Sequence, residues 1–221
     1  KTLESYATLE TSYARYKELD RTVVDAYLHL GRLDDAKAFA QRRKLDRTTQ
    51  KVLTKRAAMP MKVRLDSVSD IKFVSVRLGQ IDLTDFFPGF AATINTQKVR
   101  AHIDTGGTFL HMSPGRAKKL GIELFEAGVG FHGNTQVKKF FGIAKRFRIG
   151  DVEMENVPVI ALPSLSGGQD FVIFGTNILD RFLATLDYPK KRMILSLRGN
   201  TKQRQEHLGM LAGKSVEMPF Y

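Results

Sequence analysis

The chain has 221 residues, of which 43% are hydrophobic and 26% charged, and its formal net charge is +12. This composition can build a packed core for one ordinary domain with an appendage, and it excludes a disordered chain. Because there is no cysteine, the sequence excludes disulfides, cysteine-ligated metals and a thiol nucleophile.

The amino-terminal residues 1–58 have a helical pattern. They contain no proline and one glycine, and their apolar residues recur at helical spacing. Residues 24–40 resemble one tetratricopeptide unit, with Leu30 and Gly31 at the turn and Asp34, Asp35 and Ala36 opening the second helix. Since stacked repeats bury a core together, one unit predicts a helical cap or the last fragment of a longer array.

Pro60 marks a domain boundary, so residues 59–69 are interpreted as a linker. The basic residues are spread over the whole chain rather than gathered in one motif. This pattern is typical of a solvated surface, argues against nucleic acid as a partner and leaves contact with an anionic surface open. No apolar run has the length of a membrane span. The start at Lys1 rather than Met leaves the compartment unknown, with an exported or periplasmic location slightly favoured over a cytoplasmic one.

The most informative motif is Asp104-Thr105-Gly106, which follows the strand-like residues 99–103 and precedes Gly107. An acid at the end of a short strand, held in a glycine turn, presents its carboxylate outside a sheet. Residues 108–113 are predicted to be extended. Ser113 then opens a short helix that ends at Gly121.

Two further elements follow in the chain. A glycine-spaced stretch contains Gly130, Phe131, His132 and Gly133, which predicts a hairpin. Residues 171–174 then form an apolar strand run that is broken by Gly175 and leads into a short helix. A last strand is predicted over residues 192–197.

In this order the parts resemble the retropepsin-like aspartic proteases, the single-lobe relatives of pepsin, in their bacterial form. The resemblance covers about residues 70–198. It implies an all-β closed barrel, mostly antiparallel, behind a helical amino-terminal segment, so that the whole chain is an α+β multidomain protein. Residues 199–221 are left as a carboxy-terminal extension.

The resemblance also implies roles for individual residues. Asp104 is expected to be the catalytic acid and base. Thr105, Gly106 and Gly107 are expected to support its loop, although the family more often has Ala or Ser at the position of Gly107. The flap over the substrate is expected at Gly130, Phe131, His132 and Gly133, and the apolar loop at Ile173 and Gly175. No metal and no cofactor are implied.

The chemistry requires a second acid. One carboxylate must deprotonate a water while another protonates the carbonyl oxygen of an extended peptide or protein substrate. The sequence contains one Asp-Thr-Gly and no Asp-Ser-Gly. The second carboxylate is therefore expected from a homodimer or from a second lobe beyond the strand-like residues 216–221. Asp187 and Asp170 are the alternative acids within the chain, and their turn-forming contexts favour structural roles.

Three histidines of the predicted sheet domain are expected to lie in or near the site. His102 is predicted to face the interior of the sheet or to pack beside the loop, because it lies two residues before Asp104 on the same strand. His111 and His132 are better placed to contact substrate. The sequence thus predicts an aspartic endopeptidase, with two alternatives: a non-catalytic peptide-binding module on the same fold, or a helical adaptor that carries the β domain as a passenger.

Overall fold

A computed structural model describes residues 17–78, 80–132, 135–165 and 171–211. The chain divides into two compact units, Lys1–Pro60 and Met61–Tyr221. The described part of the first unit consists of helices α1 (Lys17–His29), α2 (Leu33–Arg42) and α3 (Arg47–Ala58). No helix within the described ranges combines the length and the apolar character needed to cross a membrane.

The three helices in the described part of the first unit share a small core. Asp46 caps α3, because its side chain accepts a hydrogen bond from the Thr49 amide at 2.9 Å. The buried Asp20 of α1 accepts a hydrogen bond from Nε of Arg43 at 2.9 Å, which ties α1 to the end of α2. The likeness to a tetratricopeptide unit remains a prediction. The buried apolar residues of this core are Val23, Val24, Leu28, Ala36, Phe39, Ala40 and Leu53.

The second unit is built on β-strands. Among its described residues the strands are β1 (Lys62–Arg64), β2 (Ser69–Val74), β3 (Arg77–Leu78), β4 (Ile81–Asp82), β5 (Gly89–Ile94), β6 (Gln97–Ile103), β7 (Leu110–Met112), β8 (Phe125–His132), β9 (Thr135–Ile149), β10 (Val152–Ala161), β11 (Phe171–Phe174), β12 (Phe182–Asp187) and β13 (Arg192–Leu197). Its helices are α4 (Pro114–Lys119), α5 (Thr176–Leu179) and α6 (Thr201–Gly209), with a 3₁₀ turn at Pro163–Leu165.

Most strands join one large mixed sheet. Its pairing order is β12-β13-β2-β5-β6-β11-β7-β10-β9-β8, with β1 added beside β10. Because β5 also pairs with β9, the path through β5, β6, β11, β7, β10 and β9 returns to β5. The pairs β11–β6 and β10–β7 are parallel, and the other pairs of the large sheet are antiparallel.

The prediction of an all-β closed barrel is therefore too simple. The unit is a mixed, sheet-rich domain with helices, and strands such as β12 and β13 continue the sheet beyond the ring of pairings. The helix α4 forms where the sequence supplies both a cap and a breaker. Ser113 accepts a hydrogen bond from the Arg116 amide at 3.1 Å at the start of α4, and Gly121, with φ +70°, follows its end.

The sheet unit extends beyond residues 70–198 in both directions. The predicted linker 59–69 contains β1 and the buried Leu65, whose carbonyl accepts a hydrogen bond from Nε2 of Gln203 at 2.8 Å. Gln203 lies in α6, within the predicted extension 199–221. A three-residue strand is too short to show a period, which explains why the sequence pattern suggested a linker. Residues 212–221, including the strand-like run 216–221, lie outside the described residues.

Candidate active site

Asp104 lies directly after β6, at the point where β6 separates from its parallel neighbour β11. Ile103 is in register with Phe174, and the Asp104 amide donates a hydrogen bond to the Phe174 carbonyl at 3.2 Å. The side chain of Ile103 is partly buried, whereas Asp104, Thr105 and Gly106 are exposed. The end of the strand thus fixes the backbone of Asp104 while its carboxylate faces solvent.

The turn after Asp104 orients this carboxylate. The Gly106 amide donates to Oδ1 of Asp104 at 2.8 Å, and the Gly107 amide donates to the Asp104 carbonyl at 3.1 Å. The first contact is a local side-chain to backbone turn of the kind that Asp favours. The contact orients the carboxylate through a backbone donor.

Gly175 lies where the segment after β11 crosses the Asp104 loop. Its amide donates to the Phe109 carbonyl at 2.9 Å, and Thr176 donates to the Gly107 carbonyl through its amide at 3.0 Å and its hydroxyl at 2.9 Å. A Cβ on Gly175 would lie 2.1 Å from the Thr108 carbonyl oxygen and 2.4 Å from the Gly107 carbonyl. The two backbones approach too closely for any other residue type at this position.

Gly107 has no such requirement. A Cβ there would lie 3.5 Å from the Asp104 carbonyl oxygen and 3.5 Å from the ring of His111, which are ordinary contacts. The carbonyl of Gly107 already anchors Thr176. The loop is therefore held by its backbone, and the glycine at this position does not by itself loosen it.

His111 on β7 lies against the same loop. Its Nε2 accepts a hydrogen bond from the Thr108 amide at 3.1 Å and lies 3.2 Å from the Thr108 hydroxyl. Burial lowers the pKa of His111; the negative charge of Asp104 opposes this shift and the positive charge of Lys139 adds to it. The ring is therefore close enough to Asp104 and to Lys139 on β9 for both charges to affect its pKa.

His111 belongs to an open face that spans three adjacent strands. Its register partners are Ile160 on β10 and Ile173 on β11, and all three residues are half-buried. Their flanking residues on the same strands with described side chains are buried, as expected when successive side chains alternate between the core and a cleft. The sequence predicts Ile173 in the apolar loop and His111 near the substrate, whereas nothing in the sequence distinguishes Ile160, because the run 157–161 is apolar throughout.

The predicted flap is part of a long hairpin between β8 and β9. Gly130 pairs with Val137, Phe131 with Gln136 and His132 with Thr135. Gly133 lies outside the described residues. Within the hairpin, Glu126 on β8 and Lys138 on β9 form an exposed ion pair at 3.7 Å, which contributes little to stability.

The alternative acid Asp187 has a structural environment. It accepts hydrogen bonds from Nε of Arg192 at 2.9 Å and from the Lys190 amide at 3.2 Å, and Arg192 also donates to Asp70 at 2.6 Å. Burial tends to raise the pKa of Asp187, but these hydrogen bonds and nearby positive charges outweigh it, so that the pKa is lowered. An acid bonded in this way keeps its charge as part of an ion-pair network. Asp170 lies outside the described residues.

His102 faces the interior, as its position on β6 predicted. It is 1% exposed, and its ring stacks on Phe87 with a centroid distance of 4.1 Å. Burial lowers the pKa of His102 to about 4, so that the ring is neutral at pH 7. It therefore supports the strand that carries Asp104 without adding a charge beside it.

Comparison with known proteins agrees with this geometry. Residues 90–178 match a family model described as Aspartyl protease, a segment that includes both the Asp104 loop and Gly175. This part of the chain is therefore similar in sequence to aspartyl proteases. Among the described residues, no group of three or more His, Asp or Glu side chains is arranged to hold a metal ion.

Solved structures are also similar to the chain. One is the crystal structure of a retropepsin-like aspartic protease from Rickettsia conorii, which is 20% identical, with a TM-score of 0.41. The similarity covers 62% of this chain and 93% of that one. No curated protein matches the chain.

Proposed function

We propose that the second unit is an aspartic endopeptidase in which Asp104 activates a water for attack on a peptide bond. The proposal rests on the exposed carboxylate of Asp104, which is held by the Gly106 amide on a loop that packs closely against Gly175. The family match over residues 90–178 supports the same chemistry.

Hydrolysis requires two carboxylates that share one proton. Like charges at close range cannot both ionise, so that one group serves as base and the other as acid. This chain contains one Asp-Thr-Gly sequence. The second acid would come from an identical loop on a second copy of the chain, meeting Asp104 at a two-fold axis, or from a second lobe of a longer protein.

The substrate would be an extended peptide bound between the β8–β9 hairpin and the sheet. The open face of His111, Ile160 and Ile173 would form part of the wall beside the scissile bond. A peptide in this groove would be recognised through its backbone, with its alternate side chains directed toward the wall.

The test is Asp104→Asn in the full chain, assayed on unfolded protein and on a peptide library. Asn retains an oxygen that can accept from the Gly106 amide but cannot act as a base, so that the loop should fold while cleavage falls by at least about a hundredfold. Asp66→Asn is the matched control, because Asp66 is an exposed acid. Full cleavage by Asp104→Asn would refute the proposal.

Two further measurements address the second acid and the alternatives. If a homodimer supplies it, specific activity should fall on dilution, and a statine-type transition-state mimic should inhibit the native protein. If the protein binds a peptide but does not cleave it at any protein concentration, the hypothesis of a non-catalytic binding module is correct. Deletion of residues 1–58 tests the adaptor hypothesis, because a protease should continue to cut short peptides without them.

A further inference from the structure

We infer that His111 is a positioning residue that holds the Asp104 loop in its working shape only while its ring is neutral. This inference rests on the proposed function for its meaning in catalysis. It goes beyond that function because it assigns a role and a pH limit to a residue outside the Asp-Thr-Gly motif.

The geometry defines which nitrogen carries the proton. The Thr108 amide donates to Nε2 of His111 at 3.1 Å, so Nε2 must present a lone pair and the proton of the neutral ring must lie on Nδ1. Thr108 follows Gly107, whose carbonyl anchors Thr176. The loop is thus held by hydrogen bonds to two other segments, the imidazole of His111 on β7 and Thr176 after Gly175.

Protonation would remove the contact to the backbone. An imidazolium donates from both nitrogens, and its Nε2–H would face the Thr108 N–H. The Thr108 hydroxyl, 3.2 Å away, can accept from Nε2–H instead. The ring would then exchange a backbone partner for a side-chain partner, and the loop would lose one of its anchors.

The groups around the ring determine where this change occurs. Burial lowers the pKa of His111, the carboxylate of Asp104 raises it and the ammonium of Lys139 on β9 lowers it further. The register partners on β10 and β11 are Ile160 and Ile173, which do not titrate. Because the net shift is downward, the neutral ring persists at pH 7 and the contact is lost as the pH falls through a value below the usual 6.5.

The test compares His111→Gln and His111→Leu with the full wild-type chain. Glutamine offers a non-titrating oxygen near the position of Nε2, whereas leucine offers no acceptor. At pH 7 we expect kcat to be about tenfold lower for His111→Leu than for His111→Gln, the size of one lost hydrogen bond. On the acid side, His111→Gln should retain activity at a lower pH than the wild type.

His207→Gln is the control for the pH profile. His207 is another buried histidine whose pKa is lowered by burial, and it contacts Ser196 and Thr185 instead of the loop. If the loss of activity at low pH reflects general unfolding, His207→Gln should shift the pH of that loss as much as His111→Gln does. Equal shifts in these two variants, or identical profiles for wild type and His111→Gln, would overturn the inference while cleavage itself supports the proposed function.

A measurement without substrate separates the two proposals. Nitrogen-15 NMR of the wild-type chain should show an unprotonated Nε2 on His111 at pH 7, with the Thr108 amide shift following the titration of the ring. A proton on Nε2 at pH 7, or a Thr108 amide that does not respond, contradicts the role of His111 whether or not the protein cleaves peptides. Absence of cleavage together with the expected NMR result would refute a protease formed by copies of this chain alone and would leave the loop contact established.

Discussion

The position of Gly175 gives the most specific test of this fold, because a Cβ there would collide with the backbone of the Asp104 loop. In Gly175→Ala the new Cβ would lie 2.1 Å from the Thr108 carbonyl oxygen, and separations under 3.0 Å are essentially never found for a Cβ. The two backbones must therefore move apart by about 1 Å. This movement strains three hydrogen bonds, from the Gly175 amide to Phe109 and from the amide and hydroxyl of Thr176 to Gly107.

The size of the effect follows from these contacts. Three hydrogen bonds at about 1 kcal/mol each amount to about 3 kcal/mol. The lower chain entropy of alanine in the unfolded state offsets this by about 0.4–1 kcal/mol. We therefore expect Gly175→Ala to lower the free energy of unfolding by about 2–3 kcal/mol, as measured by urea denaturation, and to reduce kcat because the displaced loop carries Asp104.

Gly107→Ala is the matched control, since it adds a methyl group to the same loop. There the new Cβ meets its nearest atoms at 3.5 Å, and the φ angle of Gly107 lies outside the left-handed region. Its stability should be unchanged or higher by about 0.4–1 kcal/mol. If Gly175→Ala were as stable as Gly107→Ala, the close crossing of the two backbones would be wrong.

Two other histidines give further expectations. The pKa of His102 is about 4 in the folded chain, against about 6.5 when unfolded, so that the unfolded state binds more protons between these values and stability falls as the pH drops from 6.5 to 4. The free energy of unfolding should decrease by at most about 3 kcal/mol. Urea denaturation at pH 7 and pH 4.5 should show a smaller decrease for His102→Gln than for the wild type. An equal decrease in the two proteins would contradict this role of His102. His207→Ala should destabilise the second unit by about 2–4 kcal/mol in a thermal melt, because it opens a cavity and leaves the buried Ser196 hydroxyl without its partner. The control is Leu208→Ala, at an exposed position of the same helix. It should change the stability of the unit by less than about 1 kcal/mol.

Some parts of the site could be predicted because each depends on a few neighbouring residues. Asp104 follows a strand and precedes two glycines, so that the pattern alone indicates a carboxylate on a turn. Gly175 interrupts an apolar strand, and an isolated glycine there is typical of a close backbone approach. The structure contains both features at these positions.

Other parts depend on pairings between distant segments. Ile160 and Ile173 become neighbours of His111 only because β7 pairs with both β10 and β11. The strand β1 is three residues long, and only its pairing with β10 removes residues 62–64 from the predicted linker. No local period distinguishes β1 from a loop, because three residues are less than two full repeats of a strand pattern.

The sequence alone determined the chemistry that is available: one acid on a glycine turn, no thiol, and a glycine at the point where two backbones must cross. These properties belong to individual residue types and their immediate neighbours. Tertiary structure decided which groups surround the acid, because the pairing of β7 with β10 and β11 and the crossing at Gly175 bring His111, Thr108 and Asp104 together. Burial and charge act over distances in space rather than along the chain. For this reason only the folded structure shows that burial lowers the pKa of His111.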